Sequence, residues 1–197
     1  FSYNIEDKVS VLQLVEKENS NDTLGYLGNL FNTNDLFRFT SKSLSNLDFS
    51  TLNQYDFIIT KGLTDISTGL SSELINYTNQ GGSLLVFPSS TINLDTYKNF
   101  LQTLAGGNLL ALDTGSTKVS YLNVEHPIYK DVFDKIPDNV DLPKVNQHYV
   151  ISFANSSGTE YLMTLQNGNS FLSSTKVNKG NFYFCSTPLT SKASSFP

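Results

Sequence analysis

The chain has no tryptophan, one methionine (Met163), one cysteine (Cys185), two histidines (His126 and His148) and one arginine (Arg38). A single thiol excludes an internal disulfide framework, and two histidines exclude a histidine-rich metal centre. Thirteen basic against eighteen acidic residues give a formal charge of -5, with the lysines scattered singly among acids. Nucleic acid is therefore not expected as a partner, because phosphate recognition draws on clustered Lys and Arg. No apolar run approaches the length of about 18 residues that a membrane span needs. The chain starts at Phe1 without an initiator Met or a signal peptide, which we read as an excised fragment of a larger protein.

What is present is a well-fed core. Hydrophobic residues make up 39% of 197, with 14 Phe and 10 Tyr, enough for one compact unit despite the many Asn, Ser and Thr. Residues 8–15 read as a first strand, and Glu16 to Asp22 as its loop, with Asn21 or Asp22 available to cap a helix marked by Leu24, Leu27, Leu30 and Phe31. Phe37 to Thr40 and Tyr55 to Thr60 follow as strands, and Leu70, Leu74 and Tyr77 mark a second helix. The pair Gly81-Gly82 suits the turn into a buried strand, Ser83 to Phe87, which Pro88 should end because it cannot donate to a ladder. Asn93 to Leu104 is a third amphipathic helix, closed by Gly106-Gly107.

After about residue 108 the helical rhythm gives way to period-two segments separated by Asn167-Gly168 and Lys179-Gly180, which read as hairpin turns. The candidate strands are Leu109 to Leu122, Val145 to Phe153, Tyr161 to Leu165, Ser170 to Ser174 and Asn181 to Ser186. The expected architecture is α/β: a three-layer α/β/α domain on a mostly parallel central sheet, flavodoxin-like, with antiparallel strands in the C-terminal half. One domain spans 1–197, with residues 1–107 forming its parallel portion and residues 108–197 its antiparallel portion.

The segments Val11-Leu12-Gln13-Leu14-Val15, Tyr55-Asp56-Phe57-Ile58-Ile59, Leu74-Ile75-Asn76-Tyr77 and Gly81 to Phe87, in that order, resemble the class I glutamine amidotransferase-like superfamily. His126-Pro127-Ile128 resembles the corresponding segment of its trehalose-utilisation-type members. Leu142-Pro143, Gln166-Asn167-Gly168 and Ser186-Thr187-Pro188-Leu189 are similar to the extracytoplasmic domain of BatA-like aerotolerance-type bacterial membrane proteins. The resemblance implies a domain on the periplasmic side of a bacterial inner membrane, held by flanking segments, with other domains of its parent protein or a membrane complex as partners and no cofactor. It also implies a nucleophilic Cys after the fourth strand in active members, helped by a late His and Glu.

Pro88, Ser89 and Ser90 stand at that elbow instead. Cys185 lies in the strand-like Phe182-Tyr183-Phe184-Cys185, where a thiol packs as a small apolar group. Ser89 and Ser90 lack the Gly-x-Ser-x-Gly setting of a strained nucleophile and are read as caps of the helix near Asn93 or as turn residues. His126, with Glu125 and Tyr129 as possible partners, and His148 are read as structural. Asp131, Asp134, Asp138 and Asp141, three or four apart around Pro137, do not match a calcium loop, so no metal is expected. Gly62 follows the third strand, where relatives carry an oxyanion-binding glycine loop. A ligand would sit at the mouths of the parallel strands, near Glu16 to Asn21, Lys61 to Asp65 and Pro88 to Thr91.

The expectation is therefore a non-enzymatic binding or assembly module with a degenerate pocket at Lys61, Gly62, Ser89, Ser90 and His126. Two alternatives stand beside it: a hydrolase with a displaced site using Ser89 or Ser90 with His126, and a carbohydrate-binding module presenting an exposed row of Tyr side chains.

Overall fold

A computed structural model describes residues 8–17, 25–130, 141–154 and 158–195. The chain order is β1 (Val9–Val15), α1 (Gly25–Asn32), β2 (Phe37–Ser43), β3 (Phe57–Leu63), α2 (Thr68–Asn79), β4 (Ser83–Pro88), α3 (Leu94–Ala105), β5 (Gly107–Asp113), β6 (Thr117–Leu122), β7 (Lys144–Val145), β8 (His148–Phe153), β9 (Thr159–Leu165), β10 (Ser170–Val177) and β11 (Gly180–Cys185). Short 3-10 turns occupy Leu44–Asn46, Phe49–Gln54 and Pro127–Tyr129. The acids Asp131, Asp134 and Asp138 with Pro137, the caps Asn21 and Asp22, and Leu24 lie outside the described residues.

One mixed sheet dominates, in the order β2-β1-β3-β4-β11-β10-β9-β6-β7, with β5 and β8 forming a separate antiparallel pair. Four of its ladders are parallel (β1 with β2, β1 with β3, β3 with β4, β4 with β11) and four antiparallel. This corrects the expected three-layer α/β/α domain on a mostly parallel sheet: the molecule is built mainly from strands, and its nine-stranded sheet is half antiparallel. The physical reason is β11, which turns back from β10 and inserts beside β4, so the C-terminal hairpins extend the same sheet.

Alternation along the strands sorts side chains to two faces. Leu12, Leu14, Ile58, Leu84, Val86, Phe182 and Phe184 meet α2, α3 and the β5–β8 pair in the larger cluster. Val11, Ile59, Phe87 and Cys185 face the other way, onto Leu27 of α1 and onto Val119, Val145 and Phe171. Helix α1 shows why hydrophobic periodicity alone misled at one position: Leu27 is buried, but Leu30 is 63% exposed. Helix α3 is capped at its start by Asn93, whose side chain accepts from the Asp95 N–H at 3.2 Å. Gly106 ends it at φ 63°, the left-handed position that glycine occupies without a Cβ clash.

Candidate functional site

A strand order of 2-1-3-4 means that the chain leaves β1 toward one edge and returns to build β3 on its other side. The carboxyl ends of β1 and β3 therefore diverge, and a crevice opens between their loops. It is a cavity of about 560 Å3, and its walls are supplied by five strand ends: Gln13 and Val15 to Lys17 at the end of β1, Ser41 of β2, Lys61, Gly62 and Thr64 at β3, Pro88 at the end of β4 with Ser89 and Ser90 after it, and Pro188 to Thr190 after β11.

The floor is fixed by bonds between those loops. The Glu16 carboxylate accepts from the Thr64 N–H at 2.8 Å and from the Thr64 hydroxyl at 3.0 Å, tying the two sides of the crevice together. Tyr97 of α3, fully buried, donates its hydroxyl to the Leu63 carbonyl at 2.7 Å, and burial drives its phenol pKa well above the ordinary value. The Asn93 N–H bonds the Thr64 carbonyl at 2.7 Å. Gly62 stands at φ 68° where β3 shifts register against β4 between Lys61 and Leu63. That left-handed residue lets Lys61 face the crevice rim while Leu63 returns to the core.

Four of the expected pocket residues meet here: Lys61, Gly62, Ser89 and Ser90. His126 does not. It caps the Pro127–Tyr129 turn, its Nδ1 accepting from the Ile128 N–H at 3.2 Å, and its Nε2 lies 3.7 Å from Glu160. Ile128 lines a different hollow with Val9, Phe57 and Ser83, residues that begin their strands, so this histidine belongs to the opposite end of the sheet from the serines. Its expected neighbour Tyr129 turns its hydroxyl to the Leu162 carbonyl at 3.4 Å.

The serines are not helix caps either, since Asn93 holds that position. Ser89 Oγ accepts from the Thr91 N–H at 3.4 Å within the turn after β4, and the Ser89 carbonyl accepts from the Tyr149 hydroxyl at 2.9 Å. Cys185 ends β11 one strand from the elbow, facing the smaller core cluster. Complete burial pushes its thiol up to about 12 against a weaker opposing bond to the Thr187 backbone, which favours the thiol over the nucleophilic thiolate. Among the described residues no group of three His, Cys, Asp or Glu side chains is placed to hold a metal ion.

Sequence reasoning missed Gln13, Ser41 and Pro188 to Thr190. Gln13 had a signal, being the one polar residue in Val11-Leu12-Gln13-Leu14-Val15. It is 1% exposed; its Nε2 donates to Ser41 Oγ at 3.0 Å, and its Oε1 has no donor among the described residues.

The second histidine forms a separate buried node. His148 is fully buried on β8, with the Asn169 and Asn167 amide nitrogens at 2.9 and 3.4 Å from its Nε2 and Asp113 at 3.8 Å. Desolvation lowers its pKa, opposed by the Asp113 charge. A folded-state value below the unfolded one means that the unfolded chain binds more protons in the interval between them. Stability should therefore fall as the pH drops below about 6.5, the unperturbed histidine value. Denaturant titrations at pH 7 and pH 5 check this, and His148→Gln should reduce that pH dependence.

The chain matches no protein-family model and no curated protein by sequence. Its fold does match solved structures. A putative ThuA-like protein from Bacteroides uniformis superposes with a TM-score of 0.64 at 15% identity, covering 94% of this chain and 84% of that one. A glutamine amidotransferase from Thermotoga maritima gives 0.58 at 12% identity, covering 89% and 74%. An exo-β-1,4-mannosidase from Opitutaceae bacterium strain TAV5 gives 0.59 at 13%, the match covering 91% of this chain but only 31% of that enzyme. The likeness is one of fold alone. The chain thus shares the class I amidotransferase-like fold, elaborated into a nine-stranded mixed sheet.

Proposed function

We propose that this chain is a non-catalytic amidotransferase-like domain that binds a ligand in the crevice at the carboxyl ends of β1, β3 and β4. It serves there as a recognition or assembly module of a larger, membrane-anchored bacterial protein on the extracytoplasmic side. The observation that carries the loss of chemistry is the elbow itself. The turn after β4 offers Ser89, whose Oγ takes its bond from within the turn, while His126 stands at the other end of the sheet and the Cys185 thiol is sealed in apolar surroundings. A serine-histidine pair needs the two side chains within hydrogen-bond reach, and neither histidine lines the crevice beside Ser89 and Ser90.

The binding half of the proposal rests on the crevice. It sits where open parallel sheets present loops and backbone groups to ligands, and its floor is bonded into shape by Glu16, Thr64 and Tyr97. The extracytoplasmic, anchored setting rests only on the resemblance of the short segments Leu142-Pro143, Gln166-Asn167-Gly168 and Ser186 to Leu189 to BatA-like proteins.

The test is a screen of amide and ester substrates with the purified chain, beside Ser89→Ala and Ser90→Ala. The expected result is no turnover above the buffer rate in any of the three. Turnover in the wild type that either substitution abolishes would overturn the non-catalytic reading.

A further inference from the structure

Among the described residues five buried side chains carry a polar atom without a hydrogen-bond partner, at Gln13, Thr60, His148, Ser170 and Thr187, and of these Gln13 is the one that lines the crevice. A polar atom with 1% residue exposure and no donor carries the full cost of lost hydration, and proteins rarely keep one without use. This one belongs to a residue in the wall of a 560 Å3 cavity, on the strand beside the switch point. An apolar residue would suit the position better if packing alone mattered, since Val11, Leu12, Leu14 and Val15 surround it in sequence. The missing partner is a hydrogen-bond donor, so the occupant must bring an O–H or N–H to Oε1.

The remaining lining narrows the class. Among the described lining residues its charges are Glu16, Lys17 and Lys61, one acid against two bases without arginine, too little to hold a polyphosphate. None of the described lining residues is aromatic, so they offer no platform for a stacked nucleobase or flavin ring. What the wall does offer is short hydroxyls at Ser41, Ser89, Ser90 and Thr190, the amide of Gln13, and small apolar surfaces at Pro88, Pro188 and Leu189. Alternating hydroxyls and C–H faces are the complement of that wall.

Resting on the binding role proposed above, we infer that the crevice takes a small, neutral, polyhydroxylated ligand of about monosaccharide size, one of whose hydroxyls donates to Gln13 Oε1. The cavity would hold about twenty waters at roughly 30 Å3 each, ample for such a molecule together with bridging waters. No aromatic row takes part, in contrast to the exposed Tyr surface that composition suggests.

The experiment titrates the chain by ligand-observed NMR with D-mannose, D-galactose and myo-inositol, and in parallel with inorganic phosphate and AMP. It uses wild type, Gln13→Met, which removes the acceptor at similar length, and Ser90→Trp, which plugs the mouth at an exposed position. The expected result is saturable binding of at least one polyol, about tenfold weaker in Gln13→Met and absent in Ser90→Trp. The melting temperature of Gln13→Met should stay within about 2 °C of wild type, because losing the Nε2 bond to Ser41 Oγ is offset by removing an unpaired buried acceptor. Saturable binding of phosphate or AMP without any polyol overturns the ligand class while leaving a binding module standing. No saturable response to any polyol up to about 100 mM overturns the inference. A drop of several degrees in Gln13→Met overturns it too, since Gln13 would then be structural. Failure of the non-catalytic reading shows separately, as turnover in the substrate screen.

Discussion

Gly180→Ala should cost about 3 kcal/mol or more, read as a melting temperature lowered by roughly 6–12 °C in a chain of this size. A methyl group built at Gly180 would collide with the carbonyl oxygens of Thr78 and Gly82. Both are main-chain atoms, one in the last turn of α2 and the other at the entry to β4, so neither can swing aside as a side chain would. The Gly82 carbonyl also accepts from the Asn181 N–H at 3.2 Å, the bond that starts the parallel ladder between β4 and β11. The substitution therefore strikes the seam where the antiparallel half joins the parallel half. A melting temperature within a degree or two of wild type would mean that β11 does not lie beside β4 with its first residue packed against the end of α2.

Phe182→Ala should be comparably severe, about 4 kcal/mol by denaturant unfolding. The ring is fully buried on β11, stands edge-on to Phe100 of α3 at 6.3 Å between centroids, and contacts the cluster that α2 and α3 share with the sheet. Removing it leaves a void bounded by a helix on one side and strand backbone on the other, neither free to collapse. Leu30→Ala is the control: at 63% exposure it should change stability by no more than about 0.5 kcal/mol. Equal effects of the two substitutions would contradict the assignment of the larger core.

What could be read from the sequence is what is local. Runs such as Phe57-Ile58-Ile59 and Leu84-Leu85-Val86 announce buried parallel strands because both faces must be apolar, and they fall at β3 and β4. The destination of β11 is not local. A Lys179-Gly180 hairpin is consistent with any neighbour for the next strand, and only packing against α2, with room solely for a glycine, selects β4. The same limit explains the site. Lys61, Gly62, Ser89 and Ser90 follow strands whose direction was readable, so their convergence at one mouth was as well. His126 follows β6, an antiparallel strand, and nothing in its sequence said which end of the sheet that strand would reach. Gln13 was passed over because a single amide inside an apolar run reads as belonging to the run.

The two faces of the sheet are unequally furnished. Among the described residues, twenty-one buried hydrophobic side chains gather on the face covered by α2 and α3, against ten on the other. Gln13 and Lys61 belong to the lighter side, since Gln13 stands in register with Ile59, and Lys61 lies two residues further along the same strand. The heavier core and the crevice-lining side chains of Gln13 and Lys61 thus lie on opposite faces of the sheet. Under the binding role proposed above, substitutions at Gln13 and Lys61 would alter what the crevice accepts while leaving the larger cluster intact, so specificity could change at little structural risk.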